Sequence, residues 1–242
     1  MERWEPLGSR GKILTSPRHR LTTDTLLLAR FSLPRPGERC ADLGAGCGGV
    51  ALLWCLWGRP AQVDAVELQV EAVRLLERSV EANGLGEKIA LLQGDLRDYK
   101  ALLPHQGLDR MACNPPYYPL GSGARSEERD RSLARHEEAL SLEVLAQCGR
   151  YGLKTSGRLC LCLPVARLAE ALALFHEQGL EPKRLRLVQL DGARPPYLFL
   201  LECRRGGRSG LQAEPTLLLR DETGGDSPEL RDMYGDYWKG RP

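Results

Sequence analysis

The stretch "RCADLGAGCGGVALLWCLWG", residues 39–58, decides how this chain folds. A short apolar run enters a turn holding Gly44, Gly46 and Gly49, and an apolar run of good helix formers leaves it. Glycine tolerates left-handed backbone and lets neighbouring chain come close. A strand, a glycine-rich turn and a helix make the first half of a parallel βαβ unit. Open parallel sheets bind their ligands at the carboxyl ends of the strands, so this turn is the expected ligand site.

Outward from it, strand-like and helix-like runs alternate. "QVDAVEL" (62–68), "KIALLQGDL" (88–96), "LDRMAC" (108–113) and "GRLCLCLP" (157–164) read as strands. "VEAVRLLERSVEANG" (70–84) reads as a helix burying Val70, Val73, Leu76 and Val80, stopped near Asn83-Gly84. "EALSLEVLAQCGRYGL" (138–153) and "ARLAEALALFHEQGL" (166–180) are further helices, and the polar stretch 121–138 is expected as a loop. The last two strands, "KRLRLVQL" (183–190) and "PYLFLLECR" (196–204), have only "DGARPP" between them, so they are expected to pair antiparallel at the sheet edge. The alternation predicts an α/β fold, a mostly parallel sheet with helices on both faces. One domain is expected over 1–242. It comprises an N-terminal cap (1–36), a core (37–205) and a loosely docked C-terminal arm (206–242) carrying Tyr234, Tyr237 and Trp238.

Composition narrows the class. The chain is 242 residues long, 42% hydrophobic and 27% charged, the balance of a water-soluble domain. No secretory leader is visible at the start, and the longest apolar run, 50–58, is too short to span a bilayer. The eight cysteines form no CxxC pair and only four histidines accompany them, so no metal site is expected. Most sit in apolar runs, as reduced cysteines of a cytoplasmic protein do. The net charge is +2, but residues 1–39 hold eight Lys/Arg against four acids. "CRRGGR" (203–208) is a second basic knot. Both are expected to favour a phosphate backbone.

The acids choose the cofactor. The three glycines also satisfy a dinucleotide pattern, with Glu67 in the place of a ribose acid. However, Asp42 stands two residues before Gly44, where its charge would repel a pyrophosphate and hold a cation instead. Glu67 and Asp95 then end the next two strands. Three successive strand-end acids suit S-adenosyl-L-methionine, which carries a sulfonium and an ammonium and no phosphate. Asp42 is assigned to its methionine end, Glu67 to the ribose hydroxyls and Asp95 to the adenine amino group, with Gly44 and Gly46 lining the turn. The competing reading is that these acids cap the helices that follow them.

"MACNPPYYPL" (111–120) ends the fourth strand beside that cofactor, because prolines cannot continue a ladder. An exocyclic amine on a base is a poor nucleophile until its lone pair leaves conjugation. Two acceptors for its two N–H groups achieve that: the Asn114 side-chain oxygen and the Pro115 carbonyl. Pro116 brings no competing N–H, and Tyr117 offers a face on which a base stacks, worth about 1–3 kcal/mol. Asn114 also borders the cofactor.

At this point "DLGAGCGG", "VDAVEL", "QGD" and "NPPYY" resemble the amino-methylating class I S-adenosylmethionine-dependent methyltransferases. The flanking "LTTDTLLLARF" (21–31), "LARHEEALSLEVL" (133–145), "PYLFLLECRRGG" (196–207) and "LRDMYGDYW" (230–238) resemble the bacterial tRNA1(Val) adenine-37 N6-methyltransferase family. The resemblance implies a Rossmann-like, seven-stranded, mostly parallel sheet with an antiparallel edge strand. It also implies methyl transfer to adenine N6 of tRNA, and Asp24 near the cofactor's methionine end. The competing reading of Asp24 is a helix N-cap. Tyr118 stands where phenylalanine is expected in many members and reads as a packing aromatic, and His136 receives no role. NPPY is shared with glutamine-N5 protein methyltransferases and DNA adenine enzymes. The former usually carry an N-terminal helical domain and the latter a large recognition insert. A non-catalytic RNA-binding module and an NAD-dependent oxidoreductase are the alternatives from other classes.

Overall fold

Period-two alternation in the strands builds the two cores. In the third strand Cys40 faces one side of the sheet and Ala41 and Leu43 the other. In the seventh, Cys160 and Cys162 face the first side, and Leu159, Leu161 and Leu163 the second. The computed structural model describes residues 1–115 and 141–235. Its strands are β1 (Arg3–Pro6), β2 (Lys12–Thr15), β3 (Arg39–Leu43), β4 (Gln62–Glu67), β5 (Ile89–Gln93), β6 (Leu108–Cys113), β7 (Leu153–Pro164), β8 (Leu180–Gln189), β9 (Leu198–Arg205), β10 (Gln212–Ala213) and β11 (Leu217–Leu218). The helices are α1 (Thr23–Phe31), α2 (Gly49–Trp57), α3 (Val70–Ala82), α4 (Tyr99–Leu102), α5 (Leu142–Gly152), α6 (Leu168–Glu177) and α7 (Pro228–Tyr234).

Among the described residues β1 and β2 form a separate antiparallel hairpin. The main sheet runs β5-β4-β3-β6-β7-β9-β8, with the short β10 and β11 parallel to β8 on its outer side. Helices α1, α2, α3 and α7 cover one face, and α4, α5 and α6 the other. The α/β class and the mostly parallel sheet are as expected. The antiparallel strand differs in place: β9 pairs with both β7 and β8, one position inside the edge. The α6 crossover carries β8 past the vacant position, and the hairpin return fills it.

Two further expectations are corrected. The buried stripe of α3 is Ala72, Leu75, Leu76, Ser79 and Val80, while Val70 is 49% exposed. The stripe is turned by β2, which lies along the helix: Ser79 Oγ accepts from the Leu14 N–H at 2.9 Å, and Asn83 Oδ1 from the Lys12 N–H at 2.9 Å. Nor are residues 217–234 loosely docked. Leu217, Leu219, Leu230, Met233 and Tyr234 are buried in the main core. Within the N-terminal residues β1 and β2 pair as a hairpin. Tyr237 and Trp238 lie outside the described residues.

Candidate active site

The turn between β3 and α2 is built as its glycines predict. Gly44 and Gly46 take φ of +71° and +56°, in the left-handed region. The Gly44 N–H donates to the Val66 carbonyl at 2.9 Å, locking the turn against β4. A Cβ on Gly46 would meet nothing within 4 Å, so this residue borders open space at the carboxyl ends of the strands.

Glu67, at the end of β4, accepts from the Gly46 N–H through Oε2 at 2.8 Å and from the Gln69 N–H through Oε1 at 2.7 Å. Asp42 accepts from the N–H of Ala51, in the first turn of α2, at 3.0 Å, so it caps that helix from the preceding strand. Burial, and secondarily the Glu67 charge, push the Asp42 carboxyl up to about 7, against the Ala51 hydrogen bond. The two carboxylates stand on neighbouring strands, each 2% exposed. Among the described residues no lysine or arginine forms an ion pair with either. Such a pair fits a ligand that brings positive charge and hydroxyl donors and would repel a pyrophosphate.

Asp95 follows β5 at the same edge, but its carboxylate is engaged. It accepts from the Arg97 N–H at 2.9 Å and ion-pairs with the Arg97 guanidinium at 2.6 Å. Arg97 thereby holds its carboxyl below the usual range. Helix capping is thus what the structure shows for Asp95. Asp24 is not the N-cap of α1: Thr22 is, accepting from the Thr25 N–H at 3.3 Å. Asp24 sits in the first turn of α1, where burial raises its carboxyl.

β6 ends at Cys113, so Asn114 and Pro115 lie at the carboxyl edge next to the glycine-rich turn. The Asn114 amide nitrogen donates to Thr25 Oγ1 at 3.3 Å, and Thr25 Oγ1 is 3.0 Å from Thr22 Oγ1. Thr25 is the site residue that sequence reading passed over; a hydroxyl three residues after a threonine N-cap was its only signal. Pro116, Tyr117, Tyr118, His136 and the whole polar stretch 121–138 lie outside the described residues.

The "CRRGGR" knot lies at the end of the sheet away from the glycine-rich turn. β9 runs antiparallel to β7, so Arg204 and Arg205 stand beside Arg158 and Leu180, at the amino ends of the parallel strands. Arg205 donates to the Leu153 carbonyl at 2.8 Å. The chain just after the hairpin lies at the other end, near the carboxyl edge. Arg18, just after β2, ion-pairs at 3.5 Å with Glu71 in the first turn of α3, beside Gln69 and Glu67. Among the described residues no group of His, Cys, Asp or Glu is arranged to hold a metal, and no helix is long and apolar enough to cross a membrane.

This fold, with a glycine-rich turn and strand-end acids at its carboxyl edge, defines a class I S-adenosyl-L-methionine-dependent methyltransferase. The model of the methyltransferase small domain matches residues 19–128. A tRNA1(Val) (adenine(37)-N6)-methyltransferase of Tolumonas auensis is 30% identical over 217 residues, covering 89% of this chain and 88% of that protein. Its counterpart in Porphyromonas gingivalis is 29% identical over 87% of this chain and 85% of that one. The chain belongs to the tRNA1(Val) (adenine(37)-N6)-methyltransferase family. Among solved structures, a predicted O-methyltransferase of Agrobacterium tumefaciens superposes with a TM-score of 0.70 at 19% identity, covering 88% of this chain and 96% of that one. A Pyrococcus furiosus methyltransferase gives 0.61 at 20%, covering 81% and 90%. At these identities the structures speak for the fold alone.

Proposed function

We propose that this enzyme transfers a methyl group from S-adenosyl-L-methionine to the exocyclic N6 amine of an adenine in tRNA, at position 37 of tRNA1(Val) as in its named relatives. The observation that carries the reading is the place of Asn114, at the end of β6 beside the glycine-rich turn, with its amide nitrogen bound by α1. When bound, the cofactor supplies an electrophilic methyl on a sulfonium. Asp42 and Glu67 are the groups suited to its ammonium and ribose hydroxyls, alongside Gly44 and Gly46. Asp95 stands at the adenine end if Arg97 shares it.

The Asn114 carbonyl oxygen and the Pro115 carbonyl accept the two N–H groups of the target amine, drawing its lone pair out of the ring toward the methyl carbon. The chain contributes mainly position. The C–N bond would form as the methyl–sulfur bond breaks with its electron pair left on sulfur, giving S-adenosylhomocysteine, and the surplus proton then leaves the amine for water. Tyr117 supplies the stacking face that offsets the few kcal/mol, roughly, of unstacking the base.

The test is incubation with labelled cofactor and tRNA from a bacterium lacking the gene, followed by nucleoside analysis. Label in N6-methyladenosine supports the reading, and mapping to position 37 of tRNA1(Val) supports its finer part. Label confined to glutamine side chains of added protein would replace it.

A further inference from the structure

We infer that Thr25 is the positioning residue for Asn114, and that Gly49 exists without a side chain so that Thr25 can reach it. The inference rests on the reading of Asn114 as an acceptor for the target amine. An asparagine serves that role in only one of its two amide orientations, since the flipped amide would present N–H to N–H. Thr25 is the side chain placed to select the orientation. Thr25 Oγ1 lies 3.3 Å from Asn114 Nδ2 and 3.0 Å from Thr22 Oγ1. With the Thr25 proton directed to Thr22, the remaining lone pair of Thr25 takes the Asn114 amide nitrogen. The Asn114 oxygen is then the amide atom that Thr25 does not engage.

Thr25 is itself held. It is β-branched and stiff at χ1, and its methyl lies on Gly49. A Cβ at position 49 would stand 2.5 Å from Thr25 Cγ2 and 2.9 Å from Leu21 Cδ1. With the methyl seated there, the hydroxyl points to Asn114. The third glycine of the turn is thereby explained by the approach of α1 and not by a phosphate. The three residues come from α1, α2 and the end of β6, so the arrangement exists only in the assembled fold.

Thr25→Val keeps the shape and the methyl contact and removes the hydroxyl. It is expected to lower kcat roughly tenfold or more, with S-adenosylhomocysteine affinity, RNA KM and melting temperature near wild type. Thr25→Ser restores the hydroxyl and should recover most of kcat. Gly49→Ala displaces Thr25 and should lower kcat as Thr25→Val does. In an Asn114→Ala background Thr25→Val should add nothing, because the two act as one unit. Wild-type kcat in Thr25→Val beside an inactive Asn114→Ala overturns the inference while the reading of Asn114 stands. Equal losses from Thr25→Val with and without Asn114 overturn it in favour of packing. Full activity in Asn114→Ala overturns the reading of Asn114 and this inference together.

Discussion

Glu67 and Gly46, 21 residues apart, are joined by a 2.8 Å hydrogen bond from the glycine N–H to the carboxylate, whose other oxygen holds Gln69. One side chain therefore sets the turns after β3 and after β4. Glu67→Gln must place an amide NH2 against one of these N–H groups. An unsatisfied buried donor costs about 1–3 kcal/mol. S-adenosylhomocysteine affinity should fall roughly tenfold or more by calorimetry, with a lower melting temperature. Unchanged affinity would detach Glu67 from the cofactor.

With Asp42 at the cofactor's charged end, binding is expected to depend on pH. Burial lifts its carboxyl from 3.8 to about 7 in the folded chain. Its contribution to stability is full below the unfolded value and is lost as pH rises through the folded one. A cationic ligand selects the ionised form, so cofactor affinity should rise with pH through about 7. Asp42→Asn should flatten both profiles. Titrations of affinity and of melting temperature across this range check the two signs; a flat wild-type binding profile would remove Asp42 from the cofactor's charged end.

RNA affinity should depend on the hairpin side of the molecule. Replacing Arg3, Lys12 and Arg18 with alanine should raise the RNA KM. It should also make the salt dependence shallower by about 0.7–0.9 in log–log slope for each phosphate that is no longer neutralised. Arg204→Ala, at the opposite end of the sheet, should leave the RNA KM unchanged. The reverse pattern would place the RNA on the amino-end face.

Helix α7 is structural. Tyr234 is 1% exposed, and its hydroxyl lies 3.4 Å from Thr23 Oγ1 on α1. Removing a large buried aromatic costs about 3–5 kcal/mol, so Tyr234→Ala should melt well below wild type. A variant that melts with wild type would show that α7 adds little to the core.

The features legible in sequence are local ones. The glycine-rich turn, the acids at 42, 67 and 95 and the end of β6 at the prolines each follow from a few adjacent residues, and the structure puts them all at one edge. Contacts between distant segments were not legible. Thr25 meets Asn114 across 89 positions, and Arg97 claims Asp95 by side-chain geometry that spacing does not encode. The rotation of α3 depends on β2 lying along it, so Val70 read as buried though solvent reaches it. In the C-terminal segment, glycines and acids dilute the apolar residues 217, 219, 230, 233 and 234, and average composition hid a packed edge.

The position of β9 bears on how the chain is made. β7 emerges from the ribosome about 40 residues ahead of the strand that pairs with it, and until residues 198–205 follow, its Leu159–Leu163 run offers an open ladder of donors and acceptors. An unpaired apolar edge of this kind recruits strands from other chains. A message truncated within α6 or β8 is expected to yield an aggregating product, whereas one that reaches Arg205 covers β7, and residues 212–218 then pair along the outer edge of β8. The hairpin return of β8 into β9 thus moves the free edge from the long apolar β7 to β8, whose outer side the short β10 and β11 partly cover.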